Sequence, residues 1–400
     1  MPSWSNWSGR QRARPERLHF VRSEEDAAAL VRNTAAAGLT VRAAGAGHSH
    51  APLVPADGVI VDTSGLAGIV AIDRAAHTAR IRAGSRIYTL GRPLHEAGLA
   101  LINQGDIDRQ AIAGACATGT HGTGTGLANL SSAVLGARLV LASGEIVDCG
   151  PGQHADLWQA VRLNLGALGL VTELTLQLRP AYKLAEQSWS EPIDALLERL
   201  DEHLEATRHF EFFWYPDNDN AAAKSLEETH APPRYPLDPE GQRRAWSYEV
   251  LPSHRPHLHT EMEYSVPADA GPDCFRAIRA LVQREFPQLR WPVEYRTLAA
   301  DDVWLSPAYQ RPTVTISVHQ DIREDDRPYF QACEAVFLEH DGRPHWGKVH
   351  YLDGPRLAAM HPRWAEWWSV RNGVDPQGVF LNDHLRGMGR LNRVTGGTAR

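Results

Sequence analysis

From Gly114 to Gly126 the chain reads Gly-Ala-Cys-Ala-Thr-Gly-Thr-His-Gly-Thr-Gly-Thr-Gly, with five glycines, four threonines and one histidine in thirteen residues. Such a stretch offers little side-chain surface for a hydrophobic face, so its backbone must run close to something else. The interleaved Ala115, Cys116 and Ala117 favour burial over a solvent-exposed loop. A second glycine turn, Gly45-Ala46-Gly47-His48-Ser49, follows residues 39–43, which read as a strand. Unhindered N–H groups in such a turn can converge on a pyrophosphate. The third glycine of the dinucleotide fingerprint is missing, however, and by itself the segment reads first as a tight turn.

Around these turns the pattern alternates between helix and strand. Residues 23–38 open with Ser23 as N-cap, continue with acidic residues and helical apolar spacing, and stop at Gly38, which predicts a helix. Further strands are expected over 58–62, 134–141, 145–148 and 169–178, a hairpin over 69–84, and helices over 87–97 and near 156–164. After Arg179-Pro180 glycine thins out while aromatic, histidine and proline residues increase, so a domain boundary is expected near 180. The proline-bearing tract 224–256 is expected to be a long surface loop, and the segment from 343 onward to pack back on the first domain.

Composition removes several function classes. Lysine and arginine total 41 against 48 acidic residues, a net charge of −7, and no block of one sign could track a phosphate backbone. No nucleic-acid partner is expected. No stretch reaches the roughly 18–20 uninterrupted apolar residues of a membrane span. Residues 1–22 also lack the apolar core of a secretory signal, so a cytoplasmic location is expected, with peripheral membrane contact left open. Cys116, Cys149, Cys274 and Cys333 are far apart in sequence and read as reduced thiols.

Further motifs accompany the two glycine segments: Asn103-Gln104-Gly105-Asp106, Leu168-Gly169-Leu170-Val171, Pro292-Val293-Glu294-Tyr295-Arg296, Leu305-Ser306-Pro307-Ala308-Tyr309-Gln310-Arg311 and Gly342-Arg343-Pro344-His345-Trp346-Gly347-Lys348. In order and spacing the set resembles the vanillyl-alcohol-oxidase superfamily of flavoproteins, in its sugar-lactone and alditol oxidase branch. The resemblance spans the whole chain. It implies an α+β fold, with a two-subdomain FAD-binding domain over 1–179, a mixed-sheet substrate (cap) domain over 180–342, and a segment, 343–400, returning to the FAD domain. It further implies FAD lying along Gly45, Ala46, Gly47, Ser49, Gly105, Asp106, Gly114, Ala117, Thr118, His121, Gly122 and Val171, with Lys348 at the flavin's N1–C2=O edge.

His48 holds the position that carries an 8α-linked flavin in relatives. A neutral imidazole is a competent nucleophile, and the link raises the flavin's reduction potential. The other reading of His48 is a turn histidine that hydrogen-bonds the cofactor. Cys116 reads as a small buried thiol, although some cousins form a second flavin bond from that stretch.

Glu294 and Arg296 are two apart in an expected strand and share a face. Without Lys348 they would read as a surface ion pair; the resemblance turns all three toward substrate and flavin. Arg296 and Lys348 are then expected to stabilise negative charge, with Glu294 orienting them. Ser317 and His319 share a face of another strand and are expected in the same pocket, His319 as proton acceptor or, in the other reading, as a core histidine. His254, His257 and His259 fall beside the proline-rich tract without a carboxylate at helical spacing, so they read as loop histidines and no metal site is expected.

The implied reaction removes a hydride from a secondary carbinol of a sugar lactone of the L-gulono-1,4-lactone or D-arabinono-1,4-lactone type. The electrons would pass to O2, an acceptor protein or a quinone. Two alternatives stay open: an alditol (polyol) oxidase, and, from another class, a flavin-binding module without catalysis. A module has no need of Glu294, Arg296, His319 and Lys348 together.

Overall fold

The computed structural model describes residues 2–390. Ser23 caps the helix Glu24–Ala36, its hydroxyl accepting from the Asp26 N–H at 3.2 Å. The helix buries Ala27, Leu30 and Val31 against a three-stranded parallel sheet in which Val59–Asp62 lies between Arg17–Phe20 and Val41–Ala44. The expected hairpin forms from Ile69–Asp73 and Thr78–Arg82 and joins Leu170–Gln177, Val134–Val140 and Ile146–Cys149 in a five-stranded antiparallel sheet.

The glycine-threonine run differs in part from its expectation. Ile112–Thr118 is a helix whose Ala115, Cys116 and Ala117 are buried, and Gly119, at φ 77°, ends it in the left-handed conformation that glycine adopts freely. Only the portion beyond Gly119 is the irregular close-approach backbone that composition suggested. Alanine content outweighed the isolated Gly114.

The cap sheet has eight strands, in the spatial order Arg244–Trp246, Lys183–Pro192, Asn220–Glu228, His209–Tyr215, Val293–Leu298, Thr313–Asp321, His259–Pro267 and Arg343–Pro344. A mixed sheet was expected, but every pairing is antiparallel. Tract 224–256 is likewise not one loop: it contains the end of one strand, all of Arg244–Trp246 and the short helix Ser247–Val250. Arg243, buried there, makes a two-armed ion pair with Glu186. The prolines of 232–239 interrupt only its middle.

The chain then returns to its beginning. In the helix Trp364–Val374 the Trp367 indole N–H donates to the Ala160 and Leu163 carbonyls at 3.1 and 3.0 Å. Arg42, fully buried, donates to the carbonyls of Leu53, Leu165, Gly166 and Phe380, joining three distant segments. Of the returning segment, 391–400 lies outside the described residues. Among those described, no helix is long and apolar enough to cross a membrane.

Candidate active site

The Gly45–Ser49 turn leaves the strand Val41–Ala44 and is held from both sides. The Trp7 N–H donates to the Gly47 carbonyl at 2.7 Å, and the His50 N–H to the Gly347 carbonyl at 2.7 Å. The second bond brings the Lys348 motif against the turn. That motif is also hung along His259–Pro267, because the His345 and Val349 N–H groups donate to the Glu263 and Glu261 carbonyls.

Two connected hollows result. A narrow groove of about 110 Å³ is lined by Gly45, Ala46, Gly47, Gly114, Ala117 and Val171. A β-carbon added at Gly114 would find nothing within 4 Å, so this helix turns a bare face to the groove. At His48, Ser49, Gln110 and Thr118 the groove opens into a cavity of about 650 Å³ beneath the cap sheet. Gly105, Asp106, His121, Glu294, Arg296, His319 and Lys348 all line that cavity. A narrow, small-residue groove leading into a wide polar chamber suits an extended dinucleotide whose ring system ends in the chamber.

Two of the expected residues lie elsewhere. Gly122 lines neither hollow; its added β-carbon would sit 2.4 Å from the Gln104 carbonyl oxygen, so it serves close backbone packing. Ser317 is buried behind the wall, where its hydroxyl donates to Glu263 Oε2 at 2.8 Å. His259 is no loop histidine: it starts a cap strand, and its ligand atom lies within 4.8 Å of those of His50 and Glu261. Lys348 already occupies Glu261 there.

Glu294 and Arg296 are buried, against the surface-pair reading, and belong to a larger network. The Arg296 guanidinium reaches Glu294 at 2.6 Å, Glu211 at 2.8 Å and Asp106 at 3.2 Å. Lys224 pairs with Glu211 at 2.5 Å and Asp106 at 3.4 Å, while Arg255 meets Asp106 at 2.7 Å. Burial opposes ionisation of Asp106, yet Lys224, Arg296 and Arg255 hold its carboxyl far below the usual range. Glu294 is pushed up to about 8, by burial first and by the Glu211, Asp106 and Glu261 carboxylates, against the pull of Arg296. Its ion-pair partner Arg296 is shared with Glu211 and Asp106, so burial prevails and Glu294 keeps a proton at neutral pH.

A second group centres on Glu261, which pairs with Lys348 and lies 3.5 Å from His259 and 3.8 Å from both His50 and His319. His319 is lowered to about 4 by burial despite Glu261. Its Nδ1 faces the Pro292 carbonyl at 2.9 Å; a carbonyl only accepts, so Nδ1 carries the hydrogen and Nε2 the lone pair. His48 is lowered to about 4 by burial, with Lys348, Arg86 and His259 adding to the effect, and is therefore a neutral imidazole at physiological pH. His121 is the reverse case: burial notwithstanding, Glu263 at 2.8 Å and the Gly122 carbonyl at 2.7 Å raise it, one acceptor for each ring nitrogen.

Sequence reasoning did not single out Glu211, Lys224, Arg255, Glu261 or Glu263. The last two had a signal: His259, Glu261 and Glu263 alternate with Thr260, Met262 and Tyr264, which is the period of a strand with one polar face.

Residues 15–150 match the FAD binding domain family, and 174–246 and 237–388 match the D-arabinono-1,4-lactone oxidase family. L-gulono-1,4-lactone dehydrogenase of Mycobacterium tuberculosis is 34% identical, over 96% of this chain and 98% of that protein. Alditol oxidase of a Streptomyces species is 29% identical over 96% and 98%. Among solved structures, cholesterol oxidase from B. sterolicum superposes with a TM-score of 0.86 at 16% identity, over 96% of each chain, a likeness of fold.

Proposed function

The chain belongs to the D-arabinono-1,4-lactone oxidase family, with an FAD-binding domain as its first part, and from that premise we propose that it oxidises an aldono-1,4-lactone at a secondary carbinol. The observation that carries this reading is the placement of Glu294, Arg296, His319 and Lys348 around one chamber, reached from the glycine groove past His48. Bound FAD supplies the hydride acceptor. We take 1–179 as its domain, 180–342 as the cap, to whose sheet Arg343–Pro344 adds the edge strand, and the remainder to 390 as the described part of the return.

The residues divide the work as follows. Glu294, carrying a proton below about pH 8, donates a hydrogen bond to a substrate oxygen, and Arg296 beside it fixes a neighbouring oxygen. His319 accepts the hydroxyl proton at Nε2, the nitrogen left free by the Pro292 carbonyl. Lys348, held by Glu261, would supply a cation to a bound flavin where negative charge develops on it. Ser317, through Glu263, keeps His121 oriented at the chamber wall. His48 is the attachment point for a covalent flavin, which its neutral ring makes chemically available. Four free cysteines, all buried, suit the cytoplasm.

The substrate class and the acceptor are tested together. Steady-state kcat/KM with L-gulono-1,4-lactone and D-arabinono-1,4-lactone is expected to exceed that with xylitol; the opposite order makes the protein an alditol oxidase. Peroxide yield in air, compared with reduction of an artificial acceptor, separates O2 from a quinone or an acceptor protein.

A further inference from the structure

We propose that the N-terminal hairpin positions the flavin-attachment histidine, with Trp7 as the side chain that sets the plane of the His48 ring; this rests on the covalent reading of His48. The hairpin pairs Trp4–Ser5 with Arg12–Ala13 and lies outside the FAD binding domain match, which begins at residue 15.

The hairpin grips the backbone on both sides of His48. Besides the Trp7 bond to Gly47, the Asn6 amide donates to the Ser49 carbonyl at 3.0 Å and the Gln11 amide to the His50 carbonyl at 2.9 Å. A β-carbon at Gly47 would lie 3.4 Å from Asn6 Cα, so turn and hairpin are in contact. The Trp7 indole then stacks on the imidazole of His48, with centroids 5.4 Å apart and planes 29° apart. Its other aromatic contacts are edge-on, to His50 at 6.4 Å and His259 at 5.3 Å.

This form of restraint suits a nucleophile. A hydrogen bond to either ring nitrogen would occupy the lone pair or its N–H, and among the described residues His48 makes none. Stacking fixes the ring plane while leaving both in-plane nitrogens free. The surroundings also disfavour protonation of the ring, burial first and then Lys348, Arg86 and His259. Attachment joins a His48 nitrogen to the 8α methyl carbon of the flavin. One proton leaves the imidazole and one the methyl group, and two electrons pass to a two-electron acceptor such as dioxygen.

The test uses the full chain with Trp7→Ala, Trp7→Leu and Trp7→Phe. Flavin retained after acid precipitation, in-gel flavin fluorescence and the time course of attachment after adding FAD to apoprotein are read alongside non-covalent FAD affinity. Wild type is expected to retain its flavin. Trp7→Ala and Trp7→Leu should attach it roughly tenfold or more slowly, as misplacement of a reacting group implies, with non-covalent affinity little changed. Trp7→Phe, which keeps a flat ring, should recover most of the rate. In Trp7→Ala the acid limit of attachment should also move up from near pH 4, since the indole packed on the ring contributes to the burial that lowers it. If Trp7→Ala fails to fold, Trp7→Leu stands in for it. Attachment at the wild-type rate in the folded Ala or Leu variant overturns the proposal alone. Loss of colour from acid-precipitated wild type overturns the covalent reading and this proposal with it.

Discussion

Glu294 sits at the centre of the charge arithmetic in the chamber. Its folded-state pKa of about 8 stands above the ordinary 4.5, so the folded protein holds a proton there that the unfolded chain has released. The group's contribution to stability is complete below about pH 4.5 and is lost as pH rises through the window to about 8. Glu294→Gln, which mimics the protonated acid, should flatten that part of the denaturation midpoint against pH and remove the rise in lactone KM above pH 8 that wild type should display. Lys348→Met leaves Glu261 without its cation and the developing charge without its partner. Flavin reduction by substrate should slow roughly 10²-fold or more, as for other lost oxyanion donors, read by anaerobic stopped flow. These residues were legible because each lay in a compact motif. The supporting acids and bases were not: Lys224 and Arg255 come from the tract whose prolines read as loop, and Glu211 lies in the aromatic-rich strand His209–Tyr215, where nothing nearby in sequence marks its partner Arg296.

The element with the sharpest consequence is the helix Ile112–Thr118. Its Gly114 faces the open groove, whereas Gly122, four residues beyond the helix, is wedged against the Gln104 carbonyl. Gly114→Leu should therefore leave the apoprotein's thermal unfolding close to wild type while abolishing tight FAD binding. Gly122→Ala should lower the melting temperature of the apoprotein itself. Titration of both with FAD, alongside thermal melts without it, distinguishes a groove-lining glycine from a packing one. Composition showed that this run approaches something closely but not which glycines do so. Period and caps served better elsewhere: Ser23 and Gly38 bracketed the first helix, and strand-like alternation about a polar turn gave the hairpin expected over 69–84. The cap strands were harder to read because Val293–Leu298 and most of Thr313–Asp321 are buried on both faces and lose the alternation that marks a half-exposed strand.

At the scale of the molecule, the FAD-binding half is completed by chain ends that sequence periodicity could not pair. Arg42 illustrates this: one guanidinium satisfies carbonyls at Leu53, Leu165, Gly166 and Phe380, and only the folded topology brings these together. Arg42→Met would leave all four without that donor, so urea unfolding of the apoprotein should reveal a loss of roughly 3 kcal/mol or more. The antiparallel order of the cap sheet belongs to the same scale, since it depends on which distant strands meet. What the fold accomplishes is to bring a glycine groove from one half against an acid–base chamber from the other. The most direct test of the resulting account is anaerobic mixing of the FAD-loaded protein with L-gulono-1,4-lactone or D-arabinono-1,4-lactone while following the visible absorbance of the oxidised flavin. Bleaching by a lactone, at a rate that saturates with its concentration, is the predicted result; an unchanged spectrum with both lactones would contradict it.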